Sequence, residues 1–144
     1  QVLAVNLTGV FSCVQAEIAQ MVQQEAGGSI VNTASICGLV ALPHATAYNS
    51  AKHGVIGLTK SAAVEYGPKK IRVNAVCPGF IDTPMLAKGA GASQEVLDGV
   101  VRQLPIRRIA DPSEVADVVA WLMSPHSSYV TGVAMPIDGG WTAQ

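Results

Sequence analysis

Segments with helical apolar spacing alternate with short β-prone runs along the chain, and the connections between them are short. That alternation constrains the fold most, because strand, helix and strand joined by short turns pack as parallel β-α-β units with their carboxyl ends on one sheet edge. From Val2 to about Gln24, Val2, Val5, Phe11, Val14, Ile18, Met21 and Val22 recur mostly at helical steps, which predicts a helix buried along one face and stopped by Gly27-Gly28. Ser29 to Ala34 is β-prone and reads as a strand buried on both faces. Tyr48 to Tyr66 is helical again, with Ala51, Val55, Leu58 and Ala62 as its stripe and Gly67-Pro68 as its end. Ile71 to Val76 gives the next strand, closed by Pro78-Gly79. Asp82 to Gly91, rich in Gly, Ala and Pro, reads as a loop, followed by a modest helix from about Ser93 to Gln103. Asp111-Pro112-Ser113-Glu114 combines an N-cap, a proline at the first helical position and an acidic residue at the third, starting a helix that runs to about Met123. Gly132 to Ile137 forms the last strand, and Asp138-Gly139-Gly140 is expected to end the folded part.

A chain of 144 residues that is 49% hydrophobic and 13% charged suits one packed domain and excludes disorder. Nine Lys plus Arg against ten Asp plus Glu leave a net charge of −1, which offers no electrostatic footprint for nucleic acid or an anionic membrane. Cys13, Cys37 and Cys77 lack the spacing of a disulfide framework or a zinc site, which points to a reducing, cytoplasmic compartment. No apolar run reaches the length of a membrane span. About three strands are visible, fewer than a sheet covered on both faces normally needs, and Gln1 lies directly inside an apolar periodic segment. The expectation is the carboxyl-terminal half of a larger sheet, with the true amino terminus upstream.

Three polar residues fall at the predicted strand ends, where ligands of parallel sheets bind: Ser35 after the first strand, then Tyr48 and Lys52 at the start of the next helix. Residues i and i+4 share a helical face, so the Lys52 ammonium can sit near the Tyr48 phenol and favour its phenolate. A phenol with pKa about 10 is a poor base at neutral pH, and a neighbouring cation is the simplest means of lowering it. The Ser35 hydroxyl can donate to a substrate oxygen that Tyr48 protonates or deprotonates. Asn74, inside a strand, reads as a stabiliser of neighbouring loops, and Cys13 and Cys77 as apolar packing. Cys37 and Leu39 to His44 are candidate lining of the substrate pocket. His44 and His53 have no carboxylate or second ligand at suitable spacing, so no metal is expected.

Val5-Asn6-Leu7-Thr8-Gly9, Gly28-Ser29-Ile30-Val31-Asn32 leading into Ser35, Tyr48-x-x-x-Lys52, Arg72-Val73-Asn74-Ala75-Val76-Cys77-Pro78-Gly79 and Asp138-Gly139-Gly140, taken in order, resemble the short-chain dehydrogenase/reductase superfamily along essentially the whole chain. The resemblance implies an α/β, Rossmann-like doubly wound parallel sheet, of which residues 1–144 form the carboxyl-terminal part of a single domain. It implies NAD or NADP as cofactor, a small-molecule alcohol or ketone as substrate, and a homodimer or homotetramer built on the helices Gln1–Gln24 and Tyr48–Tyr66. Residue by residue, it makes Tyr48 the general acid/base and, with Lys52, part of the cofactor-binding set, Lys52 being the group that lowers the tyrosine pKa and bonds the nicotinamide ribose. Ser35 orients the substrate oxygen, and Asn6 holds a water in a proton relay to the lysine. Pro78, Gly79, Ile81 and Thr83 belong to the loop that holds the nicotinamide carboxamide, Ile81 through its backbone and Thr83 through its hydroxyl.

The family's glycine-rich pyrophosphate turn after the first strand has no counterpart here, since Gly89-x-Gly91 follows no strand, and the residue that selects NAD over NADP lies in the same absent region. Two rival readings stand beside this one, the first with the same residues. One is epimerisation or dehydration of nucleotide sugars through transient oxidation, which the short tail after Gly140 disfavours. The other is a non-catalytic half that packs or dimerises and binds no cofactor on its own.

Overall fold

The computed structural model describes residues 1–89 and 93–144. Its centre is a parallel sheet of three strands, β1 (Gly28–Thr33), β2 (Ile71–Pro78) and β3 (Ala134–Ile137), in the order β1-β2-β3. Gly28 stands opposite Ile71 and Thr33 opposite Val76, while Ala75 to Pro78 pair with Ala134 to Ile137. Helices α1 (Gly9–Met21) and α2 (Thr46–Tyr66) cover one face, and α5 (Pro112–Met123) contacts β1 and β2. Two shorter helices, α3 (Pro84–Gly89) and α4 (Gln94–Gln103), complete the set. The core on the α1/α2 side holds Val14, Ile18, Ile30, Ala62, Ile71 and Val73 towards the amino ends of the strands. Ala34, Val55, Ile56, Ala75 and Cys77 fill it towards the carboxyl ends.

This is the expected α/β half-sheet, with physical departures in detail. The first periodic segment is not one buried helix: a π-helical turn at Ala4–Thr8 precedes α1, and only Val14 and Ile18 of α1 are buried. Val5 and Phe11 are 65% and 51% exposed, so the amino-terminal part of the expected stripe stays open. Strand β1 is not buried on both faces, because only Ile30 and Asn32, under α1 and α2, are enclosed. Among the described residues its outer edge pairs with no strand. The stretch expected to be a loop contains α3, for which Thr83-Pro84 supplies a hydroxyl N-cap and a proline at the first helical position. Gly91 of that stretch lies outside the described residues. The chain does not stop folding at Gly140 either. The Asp138 carboxylate accepts from the amides of Gly140 and Thr142, and Trp141 meets Phe80 edge to face at 5.3 Å.

Two buried polar clamps fix the sheet to its surroundings. Asn74 donates to Val130 O at 2.9 Å and accepts from the Val133 amide at 3.1 Å, tying β2 to the turn before β3, the loop-stabilising role its position suggested. Asn32 donates to Thr59 Oγ1 at 3.0 Å, and that hydroxyl donates to Val55 O at 2.8 Å, pinning β1 to the middle of α2. Thr59 has no exposed surface. Thr59→Val is nearly isosteric but leaves the enclosed Asn32 amide without its acceptor, so it is expected to lower stability by about 1–3 kcal/mol in urea unfolding. Helix α5 begins with the anticipated capping box: Asp111 accepts from the Ser113 amide, and Glu114 accepts from the Asp111 amide at 2.8 Å and pairs with Arg108 at 2.7 Å. These contacts hold the Glu114 carboxyl down at about 2, with the Arg108 guanidinium as the main cause.

Candidate active site at the carboxyl edge of the sheet

Ser35, Tyr48 and Lys52 come together where β1 ends. Ser35 leaves the strand in extended conformation and caps a short 3-10 turn, Ile36–Gly38. Its Oγ accepts from the Cys37 amide at 3.1 Å. One lone pair of the hydroxyl is thereby occupied by the backbone, which leaves its O–H free to donate outward. Tyr48 lies in the first turn of α2, half-buried, with the Ser35 side chain near enough to influence its ionisation. Lys52, one turn on, is 8% exposed; its Nζ sits 5.5 Å from the centre of the Tyr48 ring and donates to Thr33 O at 2.9 Å.

The electrostatics differ from the sequence expectation. Burial pushes the Tyr48 phenol above its ordinary value, and the Ser35 hydrogen bond, which favours the ionised form, opposes this without overcoming it. The ammonium meets the ring rather than the hydroxyl, because its stem runs to the strand-end carbonyl of Thr33. Burial also draws the Lys52 ammonium below its usual range, opposed by the Cys37 and Cys77 thiols beside it. Cys77, fully enclosed, has its thiol pushed up by burial and is inert packing, whereas Cys13, also expected to pack, is exposed on α1.

The remaining candidates are arranged around this edge. Pro78 ends β2, and the Gly79 amide donates to Ile137 O at 2.9 Å. A Cβ on Gly79 would lie 2.9 Å from Asp138 Cα, so only glycine lets this loop pass so close to the end of β3. Ile81 bridges Ala110 in parallel fashion through bonds made by Phe80 O and the Asp82 amide. In such a bridge the central residue's own N–H points away from its bridge partner, here Ala110. Thr83 makes only long contacts, donating to Ile81 O at 3.4 Å and accepting from the Leu86 amide at 3.5 Å, so its hydroxyl is weakly committed. Asn6 lies in the π-helical turn, which packs against α2; its amide donates to Val2 O at 3.2 Å, leaving Oδ1 free of that bond.

A nicotinamide fits this donor set. Lys52 has spent one of its three N–H donors on Thr33, and the outward Ile81 amide and the loosely held Thr83 hydroxyl suit a carboxamide. Two residues that spacing did not single out also shape the site. Gly38 allows the 3-10 turn to touch α2 at Lys52, and Asn49 bonds the Leu42 carbonyl at 2.8 Å. An isolated glycine just past a strand end and an asparagine beside Tyr48 were the available signals. The 830 Å³ pocket at the amino ends of β1 and β2 is on the opposite edge, and its Arg72 donates to the carbonyls of Ser124 and Val130.

Comparison with known proteins places the fold and the family. The family model described as enoyl-(acyl carrier protein) reductase matches residues 1–142. Cyclohexanol dehydrogenase of Acinetobacter sp. (strain SE19) is 44% identical over 144 residues, covering 100% of this chain and 55% of that protein. Among solved structures, levodione reductase superposes with a TM-score of 0.94 at 38% identity, covering 98% of this chain and 56% of its own. A 4-hydroxyisoleucine dehydrogenase complexed with NADH gives 0.92 at 33% identity, covering 99% and 58%. The chain thus spans about half the length of the relatives it matches. With the ordered motifs, the parallel half-sheet and these similarities in agreement, the chain belongs to the short-chain dehydrogenase/reductase superfamily of oxidoreductases.

Proposed function

We propose that residues 1–144 are the carboxyl-terminal part of a single Rossmann-like domain whose complete form interconverts a secondary alcohol and a ketone with NAD or NADP. The observation that carries this reading is the Ser35 hydroxyl, oriented by the Cys37 amide, meeting the Tyr48 phenol above a buried Lys52 at the carboxyl edge of a parallel sheet. A bound nicotinamide supplies or accepts the hydride. Everything else is done by side chains of this chain. In the reductive direction the Tyr48 phenol donates its proton to the substrate oxygen while the Ser35 O–H holds that oxygen in line. In the oxidative direction the phenolate takes the alcohol proton. Lys52 binds the cofactor ribose with its free N–H donors, and its positive charge stabilises the phenolate as it forms. Asn6 Oδ1 holds a water through which the proton reaches solvent. Pro78, Gly79, Ile81 and Thr83 form the carboxamide loop.

The names of the relatives support the substrate class: one acts on cyclohexanol, another is complexed with NADH. The exposed apolar side chains Val5 and Phe11, with Val64 at 82% exposure on α2, suit a homodimer or homotetramer formed through these helices in the cytoplasm. Assay of the polypeptide that joins this chain to a dinucleotide-binding half tests the reading. A secondary alcohol should be oxidised with stoichiometric reduction of the nicotinamide, while the 144-residue chain alone should bind neither NADH nor NADPH saturably. Absence of turnover with any secondary alcohol or ketone in the joined polypeptide, or tight cofactor binding by the chain alone, contradicts it.

A further inference from the structure

We propose that Gly38 and Asn49 are positioning residues: they clamp the segment that follows Ser35 onto helix α2, and this clamp sets the Ser35 hydroxyl against the Tyr48 phenol. The inference rests on the proposed acid/base role of Tyr48 and extends it to two residues that touch neither substrate nor cofactor.

Ser35 and Tyr48 belong to different elements, so their separation depends on how the intervening chain is seated. At one point it is seated by backbone contact. A Cβ built on Gly38 would lie 2.7 Å from Lys52 O, 2.9 Å from Lys52 C and 2.8 Å from Ile56 Cδ1. The carbonyl of Lys52 belongs to the helix backbone and cannot yield as a flexible side chain does, so any residue larger than glycine lifts the 3-10 turn off the helix. That turn carries Ser35 rigidly, since the Gly38 amide donates to Ser35 O at 2.9 Å and the Cys37 amide to Ser35 Oγ at 3.1 Å. Ser35 therefore moves with it. At the second point, on the next stretch of chain, Asn49 Nδ2 donates to Leu42 O at 2.8 Å. Among the described residues Asn49 Oδ1 is buried without a hydrogen-bond partner, so the side chain is held in this orientation through its donor. An unsatisfied buried acceptor is a cost that a purely space-filling residue would avoid. Both contacts hold the segment that links Ser35 to Tyr48, through Gly38 and Leu42, and they fall about one turn apart on α2, at Lys52 and Asn49.

The test is a double-mutant cycle in the cofactor-binding polypeptide that contains this chain. Gly38→Ala and Asn49→Ala should each lower kcat by about 10- to 100-fold, the scale of an ångström-sized misplacement, with the dissociation constant for NADH or NADPH unchanged. Asn49→Asp, which puts an oxygen against the Leu42 carbonyl, should be no better than the alanine. In a Ser35→Ala background either substitution should cost almost nothing further, because what it displaces is already gone. Full additivity in that background, or kcat unchanged in the single variants, overturns the clamp. If Gly38→Ala does not fold, the Asn49 arm of the cycle decides alone. Near-normal turnover of Tyr48→Phe would instead overturn the acid/base reading itself, a result separate from either arm.

Discussion

Replacing Tyr48 by phenylalanine is expected to reduce kcat by about 10²- to 10⁴-fold in both directions while leaving the affinities for cofactor and substrate nearly unchanged. The substitution keeps the ring, and with it the contact to the Lys52 ammonium at 5.5 Å, but deletes the phenolic oxygen, the one atom of this side chain that titrates. Two titratable neighbours are poorly placed to take over the proton. The Cys77 thiol is enclosed with its pKa pushed up, and Lys52 is tied to Thr33 O. The loss should therefore be confined to the chemical step, and steady-state kinetics with single-turnover measurement of the hydride step separate it from a binding defect.

The second large effect is expected at Lys52. Lys52→Met removes the charge but keeps much of the stem volume. It should lower kcat/KM by more than about 10²-fold, through weaker cofactor binding and loss of the cation that stabilises a forming phenolate. Lys52→Arg should recover little. The guanidinium is planar and wider than an ammonium, and the space at residue 52 is bounded by the Gly38 turn on its backbone and by Thr33 O at 2.9 Å from its head. Cofactor titration with the purified variants reads the binding part directly. Recovery of wild-type kcat/KM by the arginine variant would show that charge alone is needed there.

Spacing made the elements of this site legible and left their orientation open. Tyr48 and Lys52 share a helical face by their i, i+4 relation, and Ser35 stands at a strand end because the β-prone run stops before it; both follow from backbone periodicity. The direction of the Tyr48 shift does not follow from periodicity. It depends on the rotamers of a long flexible lysine, which finds the Thr33 carbonyl, and on how deeply the phenol is enclosed. The same division runs through the fold. The capping box of α5 is a local signal and stands as read. Helix α3 was masked by the small residues around it, although Thr83-Pro84 is a start signal of the same kind. The seating of Trp141 on Phe80 joins residues far apart in the chain, which no local pattern encodes. The apolar residues Val2, Val5 and Phe11 fit one buried stripe by spacing, yet burial depends on a neighbour as well as on the helix, and they stay 42%, 65% and 51% exposed. Gly38 and Asn49 were legible only as single residues, because their meaning is a contact with α2 on the far side of a loop.

The most direct measurement is kcat for alcohol oxidation as a function of pH, in the wild-type polypeptide and in its Ser35→Ala and Tyr48→Phe variants. Oxidation needs the deprotonated phenol, so the wild-type rate should rise with pH along a single-proton limb as Tyr48 ionises. Removing Ser35 removes the hydrogen bond that pulls this pKa down, so the limb should move to higher pH. In Tyr48→Phe the residual rate should carry no such limb. A limb of the same pKa that persists after the phenolic oxygen is gone would mean that another group handles the proton.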